Sequence, residues 1–284
     1  MIPPDWPFAD ASRFVESRPH RWHVQQIGAG PDLLLLHGAG GATHSWRGLA
    51  PLLAKDHRVT MIDLPGHGFT RLGRSGRSGL DPMAEDVTRL MERLDVTPAA
   101  LIGHSAGAAV ALRMALDAPR PVIAINGAFQ EFEGLAGWLF PIMAKALALN
   151  PLTPIFFTAA GSPARTRRLL EGTGSRIDAD GLALYHRLVS DRDHVGGALA
   201  MMANWSLERL IRRAPDLTAP VLLLTGAEDR AVDPKVSRAM ADRLPGAELR
   251  QIAGHGHLLH ETAPAEVAEA VGEFLGRAGV APTG

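Results

Sequence analysis

The stretch "LIGHSAGAAV", residues 101–110, decides how the whole chain is read. Gly103 and Gly107 bracket Ser105 directly behind the apolar lead-in Ala99–Ile102, and small residues follow. A short apolar run closed by glycine is the pattern of a strand buried on both faces, whereas "AGAAVALRMAL" behind it has helical character. Ser105 therefore falls on a strand-to-helix turn, where flanking glycines permit a tight backbone. The start of the helix supplies amides that can face a developing negative charge. A serine so placed is a candidate nucleophile, and the rest of the chain must supply its base and its acid.

Outward from this turn the same strand form recurs. "RWHVQQIG" alternates and ends in a turn, and "DLLLLHG", "HRVTMIDLPGHG", "AALIGHS", "RPVIAING", "APVLLLTG" and "AELRQIAGHG" are short apolar runs closed by glycine or a polar residue. Helix-like segments lie between them: "WRGLAPLLAKD", "DPMAEDVTRLMERLD", "GAAVALRMALDA", "DPKVSRAMADRLPG" and "APAEVAEAVGEFLGRAG". Strands alternating with helices predict a mostly parallel sheet covered on both faces. From about Phe129 to Arg213 the rhythm breaks into helical patterns without a buried-strand run, rich in aromatic residues and methionine. This predicts a core of residues 1–128 and 214–284 with a helical cap inserted at 129–213. "GRSGRSG" (Gly73–Gly79) reads as a mobile, solvated loop.

Gly103-His104-Ser105-Ala106-Gly107 fits G-x-S-x-G, the nucleophile elbow of the α/β-hydrolase fold. A serine needs a base, and the base an orienting acid. "VLLLTGAEDRAVDP" places Asp229 just beyond a buried strand, and "IAGHGHLLHETAP" places His257 in the loop after the next, giving the order Ser, Asp, His that this fold uses. Asp233 is the rival acid; His255 and His260 are rival bases. The oxyanion hole is expected from the amides of Ala106 and of Ala39 in "HGAGG" (His37–Gly41). The candidate pocket set is His37, Trp46, His104, Trp138, Phe157, Met201, Met202 and Trp205, since a cap that buries itself also roofs a pocket and methionine makes an adaptable apolar wall. For His37 and His104 the alternative role is fixing loop geometry; for Trp46 it is anchoring its helix.

Composition narrows the function classes. Lys plus Arg number 29 against 30 Asp plus Glu, a net charge of −1, which argues against general affinity for nucleic acid. There is no cysteine, so disulfides, thiolate metal sites and a cysteine nucleophile are excluded. Twelve histidines invite a metal, but glycines separate His255 from His257 and the triad accounts for one of them, so neither metal nor cofactor is expected. "GAGGA" lacks the Gly-Lys-Ser/Thr of a phosphate loop. No signal peptide is read at the N-terminus and no run reaches the roughly 20 apolar residues of a membrane span, so a cytoplasmic protein is expected.

The resemblance goes further than the elbow. "LLLLHGAGGATHSWRGLAPLLA", "GHSAGAAVALRMALD", "FPIMAKALALNPLTPIFF" and "HVGGALAMMANWSLERL" look like the magnesium chelatase accessory proteins of bacteriochlorophyll biosynthesis, a branch of the α/β-hydrolases. The similarity covers most of residues 20–275, and the cap stretches "NPLTPIFF" and "ALAMMANWSLERL" carry it. It implies a role around insertion of magnesium into protoporphyrin IX, beside rather than within the ATP-driven chelatase. Two expectations follow. One is a serine hydrolase of unknown substrate. The other is a non-catalytic tetrapyrrole-binding protein that assists magnesium chelatase, holding Mg-protoporphyrin IX or a related apolar molecule, with Arg71, Arg74 and Arg77 meeting its carboxylates. Both fit a cytoplasmic protein, with a peripheral place at the photosynthetic membrane as the alternative.

Overall fold

The computed structural model describes residues 2–73, 75–130 and 162–280. Eight strands form one sheet in the order β1-β2-β4-β3-β5-β6-β7-β8. They are β1 (Ser12–Ser17), β2 (His20–Ile27), β3 (Asp32–Leu36), β4 (Arg58–Ile62), β5 (Ala100–His104), β6 (Val122–Ile125), β7 (Val221–Gly226) and β8 (Glu248–Ile252). Strands β3 to β8 are parallel, while β1 and β2 form an antiparallel hairpin that joins the sheet through β4.

The apolar run of β3 shows why the sheet is covered on both sides. Leu33 to Leu36 have no exposed surface, and the two-residue period of a strand sends them alternately to opposite faces. Leu34 and Leu36 join the cluster under α2 (Leu80–Arg93) and α3 (Ala106–Ala115). Leu33 and Leu35 join the one under α1 (Ala50–Leu53) and the C-terminal helix, residues Pro264–Arg277. Because β3 is flanked by β4 on one side and β5 on the other, the chain reverses its winding there. In doubly covered sheets ligands bind in the crevice that such a reversal opens at the carboxyl ends of the strands. The loops beginning at His37 and at Ser105 meet at that crevice.

Four described helices lie between β6 and β7: α4 (Pro163–Gly172), α5 (Ala179–Val189), α6 (Arg192–Ala203) and α7 (Glu208–Arg213). Three open on side-chain caps, in which Ser162, Asp178 and Asp191 accept from the N–H groups of Arg165, Gly181 and His194. After β7 and β8 come α8 (Pro234–Ala241), α9 (Leu259–Thr262) and α10 (Pro264–Arg277).

Two sequence expectations need correction, and one strand is not announced by the sequence pattern. "SRFVES" carries no clear strand pattern, yet it pairs residue for residue with β2; an edge strand is half exposed and its charges mask the pattern. "WRGLAPLLAKD" yields one short helix, Ala50–Leu53, behind a 3₁₀ turn at Thr43–Trp46, because Gly48 and Pro51 interrupt it. "GRSGRSG" is not a free loop. It contains a 3₁₀ turn at Ser75–Arg77, and Arg77 donates to the buried carboxylate of Asp86 (2.7 Å) and to Glu85 (2.9 Å).

Candidate active site

Ser105 occupies a backbone conformation that side chains resist, φ 52° and ψ −117°, at the junction of β5 and α3. Its N–H donates to Ile125 O (3.0 Å), and the Ser105 carbonyl accepts from Ala108 N–H (3.1 Å), so the turn is fixed from both sides. The two glycines of the motif are required by closeness. A methyl on Gly107 would stand 2.1 Å from Leu36 O, and one on Gly103 would stand 2.3 Å from Gly107 O.

Asp229 follows β7, and four donors converge on its carboxylate. Oδ1 accepts from the N–H groups of Ala231 (2.8 Å) and Val232 (2.9 Å); Oδ2 accepts from Asn126 Nδ2 (2.6 Å) and from His257 Nδ1–H (2.8 Å). That last bond sets the His257 tautomer and leaves Nε2 as the proton acceptor. His257 and Ser105 line the same cavity. The backbone carbonyl of His257 accepts from His104 Nε2–H (2.8 Å), so the residue beside Ser105 steadies the loop that carries His257. Asn126 is not among the residues that the sequence pattern singles out. It sits at the carboxyl end of β6 with φ 47°, and also donates to Gly256 O (3.1 Å) while accepting from Gly226 N–H (3.2 Å). Its one signal is a lone polar residue closing the apolar run "VIAIN".

The rivals are engaged elsewhere. Asp233 caps α8 by accepting from Lys235 N–H (2.9 Å). His255 is bound to Thr262 Oγ1 (2.9 Å). His260 is wholly buried between Trp46 and His104, with ring centroids 4.6 and 4.3 Å away.

Gly38–Gly41 form a tight turn: Gly41 N–H donates to Gly38 O (3.0 Å) and Gly40 has φ 74°, as the third residue of a type II turn requires. Among the described residues the Ala39 N–H has no hydrogen-bond partner, and Ala39 lines the cavity. Ala106 is the first residue of α3, so its N–H has no acceptor within the helix. His37 is not a pocket wall. Its Nε2 accepts from Leu64 N–H (2.9 Å) and its Nδ1–H donates to Gly38 O (2.8 Å), so it shapes the turn from inside the core.

The cavity holds about 290 Å³ and is walled mainly by α4, α5 and α6, through Leu169, Leu170, Tyr185, Val195, Leu199 and Met202. Of the expected pocket residues, His104 and Met202 line it. Trp46 and Met201 are core residues, 0% and 1% exposed on opposite faces of the sheet, and Trp205 packs partly buried against the cluster that holds Met201. Trp138 and Phe157 lie outside the described residues. Tyr185 turns its hydroxyl away from the cavity and donates to Glu261 Oε1 (2.7 Å); Glu261 also pairs with Arg47, which reaches Asp178 (3.0 Å). This network ties α5 to the core. Burial raises the Glu261 carboxyl above its ordinary value, against the pull of Arg47.

Most of the histidines are structural. Burial holds His37 and His194 down to about 4 and His67 to about 3, and it pushes His44, His104 and His260 well below the usual imidazole value. A second Asp-His-Ser alignment exists: His23 Nδ1–H donates to Asp63 (2.7 Å), and His23 Nε2 is 3.0 Å from Ser12 Oγ. His23 is fully buried and Ser12 lies on an edge strand with no elbow behind it, so this set braces β1 and β2.

The family of the alpha/beta hydrolase fold matches residues 31–264. The chain is 48% identical over 266 residues to the magnesium-chelatase 30 kDa subunit of Rhodobacter capsulatus, covering 92% of this chain and 93% of that one. It is 29% identical to the 2-hydroxymuconate semialdehyde hydrolase of a Pseudomonas strain, over 92% of each. In fold it matches a thermophilic esterase of Thermogutta terrifontis with a TM-score of 0.73 at 21% identity, covering 94% of this chain and 98% of that structure. The chain thus belongs to the α/β-hydrolase family, and within it to the family of the magnesium-chelatase 30 kDa subunit.

Proposed function

We propose that the protein is a serine hydrolase acting on an apolar ester or related acyl compound in magnesium–porphyrin metabolism. The observation that carries this reading is the hydrogen bond from His257 Nδ1 to a carboxylate gripped by three further donors, on a base that shares its cavity with the elbow serine. A protein that only holds a ligand has no use for a base oriented this closely.

In this mechanism His257 Nε2 takes the Ser105 Oγ proton as Oγ attacks the acyl carbon. The carbonyl oxygen gains negative charge and is met by the N–H groups of Ala39 and Ala106, neither of which has another acceptor within its own turn or helix. Protonated His257 then gives its proton to the leaving alcohol. Water, deprotonated by the same nitrogen, releases the acyl group and restores Ser105. The apolar walls exclude solvent and favour an alkyl or acyl chain.

The test is intact-mass analysis after treatment with a fluorophosphonate. One adduct per chain on the wild type and none on Ser105→Ala supports the reading; no adduct on folded wild type refutes it. Asp229→Asn should keep the fold and slow labelling by about 10³-fold or more, since the tautomer and orientation of His257 are lost.

Kinship with a chelatase subunit supports a second reading, a tetrapyrrole-binding partner of magnesium chelatase. The structure changes which arginines could serve it: Arg77 is engaged by Asp86 and Glu85, Arg71 is exposed, and Arg74 lies outside the described residues. Titration with Mg-protoporphyrin IX, followed by fluorescence, separates the two; saturable binding by Ser105→Ala alongside full pigment synthesis in a deletion strain would favour the partner role. In both readings the proposed place of action is the cytoplasm, with a peripheral position at the photosynthetic membrane as the alternative. Among the described residues no helix is long and apolar enough to cross a membrane.

A further inference from the structure

We propose that His194, on α6, is a positioning residue through which the cap helices aim the oxyanion hole; this rests on the hydrolase reading above. His194 is 2% exposed and bridges two loops of the core. Its Nδ1 accepts from Gly68 N–H (3.0 Å), and a nitrogen that accepts carries no proton, so the ring hydrogen is on Nε2. Nε2–H in turn donates to Gly40 O (3.2 Å). Among the described residues this is the hydrogen bond that joins the cap to the Gly38–Gly41 turn.

The planarity of the peptide carries this bond onward. Gly40 O and Gly41 N–H belong to one trans peptide and point opposite ways, so holding the carbonyl aims the N–H at Gly38 O, 3.0 Å away. Gly38 O and Ala39 N–H belong to another trans peptide, so fixing that carbonyl turns the Ala39 N–H the other way. A hydrogen-bonded relay therefore runs from the cap imidazole through two peptide planes to the oxyanion donor, and each bond polarises the next. His37 Nδ1–H, also on Gly38 O (2.8 Å), holds the far end of the relay from within the core.

The position of His194 is itself closely set. Asp191 Oδ1 accepts from its backbone N–H (2.9 Å) at the start of α6. One turn on, Gly197 meets Gly66 so closely that a methyl there would stand 1.9 Å from Gly66 O. The ring of His67 meets the His194 ring edge to face, centroids 5.3 Å apart. The imidazole thus cannot slide along the helix without opening the contact between cap and core.

Two substitutions separate this role from simple packing. In His194→Asn the shorter side chain keeps an acceptor for Gly68 N–H but does not reach Gly40; in His194→Gln a donor reaches Gly40 again. The readouts are the inactivation constants for a fluorophosphonate and the amide exchange of peptides spanning residues 37–45. His194→Asn is expected to lower kinact about tenfold with KI unchanged, less than deletion of a donor because the Ala39 N–H is misdirected and not removed. It should also speed exchange in the turn, and His194→Gln should restore most of both. Arg192→Ala, exposed on the same helix, should leave both at wild-type values. Wild-type kinact and exchange in folded His194→Asn overturn the proposal while leaving the hydrolase reading intact. If wild type itself is not labelled, the hydrolase reading fails; the exchange arm then decides alone, faster exchange upholding the coupling and unchanged exchange overturning it.

Discussion

Acid should weaken this fold well before its carboxylates protonate. His37, His67 and His194 are buried and neutral, held at about 4, 3 and 4 against an ordinary value of 6.5. Unfolding returns each to that ordinary value. Between pH 6.5 and about 4 the unfolded chain therefore binds more protons than the folded one, and stability falls as pH falls. It is fully present above 6.5. One pH unit below 6.5, each imidazole has withdrawn a little over 1 kcal/mol, so the three together remove roughly 4 kcal/mol at pH 5.5. That is a large share of the 5–15 kcal/mol typical of a folded domain. His44, His104 and His260 act in the same direction, while the raised Glu261 carboxyl opposes them. The assay is urea unfolding followed by fluorescence of the five tryptophans at pH 7.5, 6.5 and 5.5, at constant ionic strength. His67→Asn should flatten the dependence by about one proton, because it removes one imidazole that only the unfolded chain protonates in this range. A total change under 1 kcal/mol between pH 7.5 and 5.5 would refute the reasoning.

Two further outcomes test how the parts are joined. Arg47→Ala leaves Glu261 buried without its cation, and should destabilise the protein by about 3–5 kcal/mol; replacing Glu261 by Gln in the same chain should recover part of that in chemical denaturation. Gly107→Ala drives a methyl into the carbonyl of Leu36, so the elbow must open, and both fluorophosphonate labelling and thermal stability should fall together.

The elbow and its partners are legible in sequence because their constraints are local. Gly103 is demanded by the backbone of Gly107 and Ala108 a few positions on, and Asp229 stands just past the strand that the buried run "VLLLTG" announces, whereas the strand before His257 is the half-polar "ELRQI" and is marked only by the turn residues that follow it. The pocket is not legible, since it depends on which way a helix is turned. Met201 and Met202 are adjacent; one is 1% exposed in the core and the other 36% exposed at the cavity. Trp46 offers bulk and aromaticity in the right loop, yet its ring fills the core against His260. His194 and Asn126 act through bonds to residues 154 and 103 positions away, and no local pattern encodes such pairs.

The helices above the cavity leave the sheet after Ile125 and return to it at Val221, on strands that are hydrogen-bonded neighbours with Val122 opposite Val221. Two chain ends that already lie side by side can accept an excursion of almost any length, since doubling a loop costs only about 0.6 kcal/mol in closure entropy. Reaction and recognition can then be inherited separately. A lineage can rewrite the helices between those two strands and still keep Ser105 and its partners in place, provided that Asn126 stays on Asp229 and the new segment offers one side chain to Gly40 and another to Glu261.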